Sequence, residues 1–164
     1  MNKRIQILKR ALNSLNISYG NEYLYHETRE DSIPYIIEDG LLPTSYGQSL
    51  VSDDGSVMSP KEKISEIEWR LQSEYGELSD DEFQSAVEDT FRMEVNEDDL
   101  MPRTYVHLVE PASYLYGDAL LRFKKRAVEK DVDYYIRESI PAEELEIKVE
   151  GVWLTLFEYA NLLT

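Results

Sequence analysis

The chain has 164 residues, 42% of them hydrophobic, and 18 aromatics of which twelve are Tyr, enough for one packed domain rather than a disordered segment. It contains no cysteine, which excludes disulfides and thiolate metal sites, and its two histidines, His26 and His107, leave little material for a transition-metal site. The net charge of −16 is concentrated in residues 51–100, where 16 acidic and four basic residues leave −12, a field that repels phosphate backbones and argues against nonspecific nucleic-acid binding.

No stretch approaches the roughly 20 apolar residues of a membrane span, and the opening MNKRIQILKR lacks the apolar run of a secretion signal. A soluble, cytoplasmic protein is therefore expected, with no membrane partner and no metal.

Ile5, Leu8, Leu12 and Leu15 recur at helical spacing and predict a helix over 3–15. EYLYH, residues 22–26, predicts a short aromatic strand. A helix follows over about 32–39, with Asp31 as N-cap, Pro34 in the first turn and Gly40 at the stop position. Residues 44–59 have the composition of a loop.

Ser59-Pro60-Lys61-Glu62 and Ser79-Asp80-Asp81-Glu82 each place a glutamate three residues after a capping serine, so a helix starts at each. Ile64, Ile67 and Leu71 mark the buried face of the first; Phe83, Val87 and Phe91 mark that of the second. This hairpin, at about 59–99, carries most of the negative charge and reads as an acidic insert, a solvated surface or a docking site for a basic partner.

From Thr104 onward strands are expected at TYVHLV, ALLRFKK, DYYIRES, ELEIKV and VWLTLFEY, with a short helix between Pro111 and Tyr116. This order predicts one α+β domain over 1–164, its sheet largely antiparallel, with flanking helices and the acidic helical insert.

Leu24-Tyr25-His26-Glu27-Thr28, the helix after it and Asp39-Gly40-Leu41-Leu42-Pro43 resemble the opening of the ADP-ribosyltransferase-like superfamily. That split-sheet, NAD-binding fold is shared by mono-ADP-ribosyltransferases, poly(ADP-ribose) polymerase catalytic domains and tRNA 2′-phosphotransferases. In it a strand ends in His-Gly-Ser/Thr and a helix leads to a Gly-Leu turn. The resemblance implies NAD as co-substrate, with His26 and Thr28 holding the adenosine ribose and the nicotinamide amide. Glu27 departs from the family's glycine and is expected to add bulk and negative charge near the ligand's phosphates.

Thr104-Tyr105-Val106-His107-Leu108, with Tyr116-Gly117-Asp118 beyond it, resembles the family's second strand and implies Tyr105 and Tyr116 beside the nicotinamide. Val132-Asp133-Tyr134-Tyr135-Ile136 and Ile140-Pro141 resemble the third strand and the segment after it. Transferases carry a glutamate where Asp133 stands. The resemblance thus implies that Asp133 stabilises the positive charge that develops as nicotinamide leaves, with Glu138 next in line. The implied catalytic set is His26, Tyr105 and Asp133.

The implied activity is mono-ADP-ribosyl transfer from NAD to an unidentified macromolecular acceptor of protein class. One alternative is a tRNA 2′-phosphotransferase-like enzyme, since Arg103–Leu108 and Gly151-Val152-Trp153-Leu154-Thr155 are similar to two segments of that branch, and Arg122, Lys124, Lys125 and Arg126 offer phosphate contacts. Tyr105 stands there in place of a histidine. The other alternative is a degenerate member of the fold that acts as an acidic interaction domain.

Overall fold

The computed structural model describes residues 22–74 and 76–164, so the helix expected over 3–15 lies outside the described residues. The chain runs through β1 (Tyr23–Thr28), helix α1 (Ile33–Asp39), and the paired helices α2 (Pro60–Glu74) and α3 (Asp80–Glu94). It continues through β2 (Thr104–Tyr105), β3 (Ala119–Lys124), β4 (Glu129–Lys130), β5 (Tyr134–Ile136), β6 (Glu146–Val149) and β7 (Val152–Thr155), and closes with helix α4 (Leu156–Leu162). The class is α+β, with two sheets whose pairings are all antiparallel.

One sheet has the order β1-β3-β6-β7 and the other β2-β5-β4. β1 pairs with β3 along its whole length, from Tyr23 opposite Lys124 to Thr28 opposite Ala119. The two sheets meet at the middle of β1, where Tyr25 and His107 exchange both backbone hydrogen bonds, at 3.0 and 2.7 Å.

Side chains alternate across a strand, so Leu24, His26 and Thr28 share one face of β1 while Tyr23, Tyr25 and Glu27 share the other. Leu24 enters the main core with Leu121, Phe123, Ile136, Ile33 and Leu156. On the outer face Arg122 lies between the rings of Tyr23 and Trp153, 4.1 and 4.3 Å from their centroids, and its Nε donates to Glu146 at 3.0 Å.

The two capped helices form where the serines placed them. Ser59 Oγ accepts from the backbone N–H of Glu62 and Ser79 Oγ from that of Glu82. Ile67, Leu71 and Val87 make a small core of their own, with Ile64, Phe83 and Phe91 packed against it and separate from the main one. Arg70 ties the pair together, reaching Glu66 at 2.9 Å and Glu94 at 2.5 Å.

Four local expectations differ from the structure. Asp31 does not cap α1: a 3₁₀ turn over Glu30–Ser32 leads straight into the helix, and Asp31 pairs with Arg29 instead. Ser32 already has helical dihedrals, and the extended residue at the start of the turn is Arg29, whose side chain makes no capping bond. Pro111 to Tyr116 forms bends rather than a helix, and the strand from Thr104 stops after two residues. The strand expected through Tyr159 ends at Thr155, whose hydroxyl accepts from Glu158 N–H while the Glu158 carboxylate accepts from Thr155 N–H. That reciprocal cap starts α4, and Thr-x-x-Glu is its sequence signature.

Gly40 closes α1 at φ 82° and ψ 179°, a region open essentially to glycine, and a Cβ there would lie 2.6 Å from the Ile140 carbonyl oxygen. Leu41 next to it exchanges backbone bonds with Ile140 at 2.8 and 3.0 Å, which pins the turn to the segment before β6. Gly40→Ala is expected to lower the unfolding free energy by about 2 kcal/mol, by strain and by displacement of Ile140. Urea unfolding measures it, and an unchanged midpoint would mean that the turn relaxes freely.

Candidate functional site

A cleft of about 270 Å³ opens where β1, α1, the segment 40–45 and β2 converge. Its walls are polar and short-chained: His26, Thr28, Ser32, Asp39, Thr44, Ser45 and Thr104, with Tyr35, Ile36, Leu41 and Leu42 supplying apolar surface. Among the described residues no lysine or arginine lines it, and Asp39 is its carboxylate.

His26 is the most constrained polar group in the cleft. Its Nδ1 lies 2.7 Å from the backbone carbonyl oxygen of Tyr105. A carbonyl only accepts, so the ring hydrogen sits on Nδ1 and is donated across. Burial pushes the imidazole pKa down and outweighs the opposing bond to the carbonyl. The ring is therefore neutral near pH 7, with Nε2 a fixed acceptor. Two residues on, on the same strand face, Thr28 is held by the loop behind it. Its carbonyl accepts from Asp118 N–H at 3.1 Å, and Gly117 packs so close that a Cβ would lie 2.1 Å from that oxygen.

The structure brings His26 and Thr28 into one wall but does not gather the remaining expected residues there. Tyr105 gives His26 its carbonyl partner, while its own hydroxyl turns to Asp131 at 3.1 Å and its ring packs edge-on against Tyr135. Burial and the Asp131 carboxylate push that hydroxyl's pKa up to about 12. Tyr116 is 72% exposed on the loop after β2 and does not line the cleft.

Asp133 stands in the exposed turn between β4 and β5, its backbone N–H donating to Asp131. The pairing of Tyr105 with Tyr135 sets this position, because Asp133 then falls beyond the end of β2. Glu138 is exposed and pairs with Arg126 at 3.4 Å.

Glu27 corrects another expectation. It points to the opposite face from His26, is 6% exposed, and brings no charge to the cleft. Its carboxylate accepts from His107 Nε2 at 2.6 Å and from the backbone N–H groups of Leu115 and Tyr116 at 2.6 and 3.2 Å. Burial alone would raise its pKa, but the donors at Tyr116, His107 and Leu115 hold it below the usual carboxylate range. The basic run is likewise remote: Arg122 stands on the outer face, paired with Glu146, and Arg126 pairs with Glu138 and Glu144.

Thr104, Ser32, Thr44, Ser45 and Tyr35 were not among the expected site residues. Thr44 and Ser45 follow the Gly-Leu-Leu-Pro turn, so their hydroxyls were legible as a polar continuation of it. Ser45 is fixed by Arg103, with which it exchanges backbone bonds at 2.7 and 3.1 Å. Arg103 itself is fully buried. Its guanidinium reaches Asp131 at 2.9 Å and the Asp98 carbonyl at 3.0 Å, and lies 4.1 Å from the ring centre of Tyr135.

No protein family, curated protein or solved structure matches this chain. Among the described residues no helix is long and apolar enough to cross a membrane.

The depressed Glu27 pKa sets a pH dependence. A carboxylate titrating lower in the folded than in the unfolded chain contributes stability that is complete above its unfolded pKa and lost as pH falls through the folded value. Stability is therefore expected to decline below about pH 4. Glu27→Gln should be less stable at pH 7 and show a shallower decline over that range. Thermal melts of both proteins from pH 7 to 3 check this, and parallel curves would remove Glu27 from the acid transition.

Proposed function

We propose that the cleft binds NAD or a related ADP-ribose compound, and that the protein is an ADP-ribosyltransferase-like domain acting on an unidentified macromolecular acceptor. The observation that carries this reading is the pairing of His26 and Thr28 on one wall. The imidazole is locked as an acceptor by the Tyr105 carbonyl, beside a hydroxyl on the same strand face. Such preset groups orient a ligand's hydroxyl or amide hydrogens without reorganising on binding. The cleft's volume is slightly under the 300–1,000 Å³ usual for ligand pockets, so it encloses one part of a dinucleotide and leaves the rest at its open side.

In the transfer reaction the bond between nicotinamide and the ribose carbon breaks, nicotinamide leaves with the electron pair, and an acceptor nucleophile bonds that carbon and gives up its proton. A carboxylate beside the ribose speeds this by stabilising the developing cation. Asp133 and Glu138 do not line the cleft, which favours binding over turnover unless Asp39 takes that part. The described lining holds no lysine or arginine, so it offers no cationic partner either to the diphosphate of NAD or to the added phosphate of the 2′-phosphotransferase alternative. The acidic hairpin is read as a separate docking surface for a basic partner.

Calorimetric titration of NAD tests the reading. His26→Ala should weaken binding by about 1–3 kcal/mol, the range for losing a buried hydrogen-bonding partner. Because the cleft holds a carboxylate and the chain carries −16, affinity should hold or rise as salt goes from about 50 to 500 mM. Asp133→Asn should bind as wild type does. Affinity that is unchanged in folded His26→Ala, or that falls steeply with salt, would count against this site. Nicotinamide release by wild type and its loss in Asp39→Asn would establish turnover at the cleft.

A further inference from the structure

Ser32, Tyr35, Ile36 and Asp39 recur at helical spacing and form one wall of the cleft. Two of these side chains add little to the fold. Tyr35 is 70% exposed, and its hydroxyl makes no hydrogen bond among the described residues. Asp39 is exposed, meets no cation among the described residues, and ends a helix whose last turn holds no basic residue. A carboxylate at that end of a helix opposes its dipole, so stability does not account for its place.

On the β1 wall His26 Nε2 is an acceptor, because Nδ1 carries the ring hydrogen. That nitrogen and the Asp39 carboxylate both call for donors. An ionised phosphate brings acceptors and negative charge instead, and the described lining has no lysine or arginine to receive it. The buried Arg103 is already committed to Asp131 and the Asp98 carbonyl. A nucleoside supplies hydroxyl or amino hydrogens, together with a flat ring that an exposed tyrosine can cover.

We propose that the cleft takes the phosphate-free part of its ligand, a nucleoside, with Tyr35 supporting the ring and Asp39 turning phosphate away. The nucleoside's hydrogens go to His26 Nε2 and Asp39. The diphosphate of a dinucleotide then lies at the open side, beyond the walls. The inference rests on the nucleotide reading above for its class of ligand, and departs from it in what phosphate does to affinity.

The test titrates the full chain with adenosine, nicotinamide riboside, the 5′-monophosphate of each, and NAD. Calorimetry at about 50 mM salt keeps the charge effects visible. Wild type should bind at least one nucleoside, and bind its monophosphate about ten-fold more weakly. Asp39→Asn should close most of that gap. Tyr35→Ala should weaken nucleoside and monophosphate alike by about ten-fold, and Tyr35→Phe should bind as wild type does.

A monophosphate that binds as tightly as its nucleoside overturns the inference, as does a gap left unchanged in Asp39→Asn. So does wild-type affinity in Tyr35→Ala, or the binding of neither nucleoside. If NAD binds and the monophosphates match their nucleosides, the nucleotide reading stands and this inference falls. If a nucleoside binds while its monophosphate and NAD do not, the inference stands and NAD is not the ligand.

Discussion

The buried guanidinium of Arg103 holds together the parts of the chain on which the cleft depends. A buried charge depends on partners for its donors, and here the two terminal nitrogens reach Asp131 and the turn at 98–99 while the plane lies on the face of Tyr135; Nε has no partner among the described residues. Asp99 completes the arrangement. It accepts from Ser49 N–H at 3.0 Å, and the Ser49 bonds and the nearby Arg103 charge keep it ionised despite its burial. Segments far apart in sequence, 45–49, 97–103 and 131–135, are thereby fixed to one another. Ser45 and Thr104 reach the cleft as a result. Removing the arginine would leave the Asp99 and Asp131 carboxylates without that cation, a larger disturbance than replacing the whole cluster with apolar groups.

β1 divides its labour by the pleat. His26 and Glu27 are consecutive and differ by one position, yet one lines the cleft and the other anchors the loop at 115–116 from behind. The same loop presses Gly117 against the Thr28 carbonyl. Ligand wall and loop support are thus built from neighbouring residues of one six-residue strand. A one-residue slip against β3 would exchange them, placing a carboxylate in the cleft and an imidazole under the loop.

Much of this was legible in the residues alone, because its signals are local. Caps at Ser59 and Ser79, the stop at Gly40 and the alternation in β1 and β3 all act within a few positions. What escaped depends on partners distant in sequence. Nothing near Glu27 announces that it will meet His107 and the backbone at 115–116, 80 and more residues on. Likeness to a motif puts Asp133 at the site, while its real position follows from Tyr105 pairing with Tyr135. Thr104 reads as an ordinary strand residue until the cleft beside it is seen. The capping pair Thr155–Glu158 is different: the signal was present, and the run VWLTLFEY masked it by its β-forming composition.

The helical pair α2–α3 keeps its own small apolar cluster, distinct from the core beneath the four-stranded sheet. Nothing obliges two such clusters to melt together, so one transition temperature need not describe this protein. The chain's two tryptophans divide between them: Trp69 lies on α2, largely in solvent, and Trp153 lies half-buried on β7 between Arg122 and Tyr25. Fluorescence from chains retaining a single indole would report the two units one at a time. Each of the two units thus carries one indole, in a different environment.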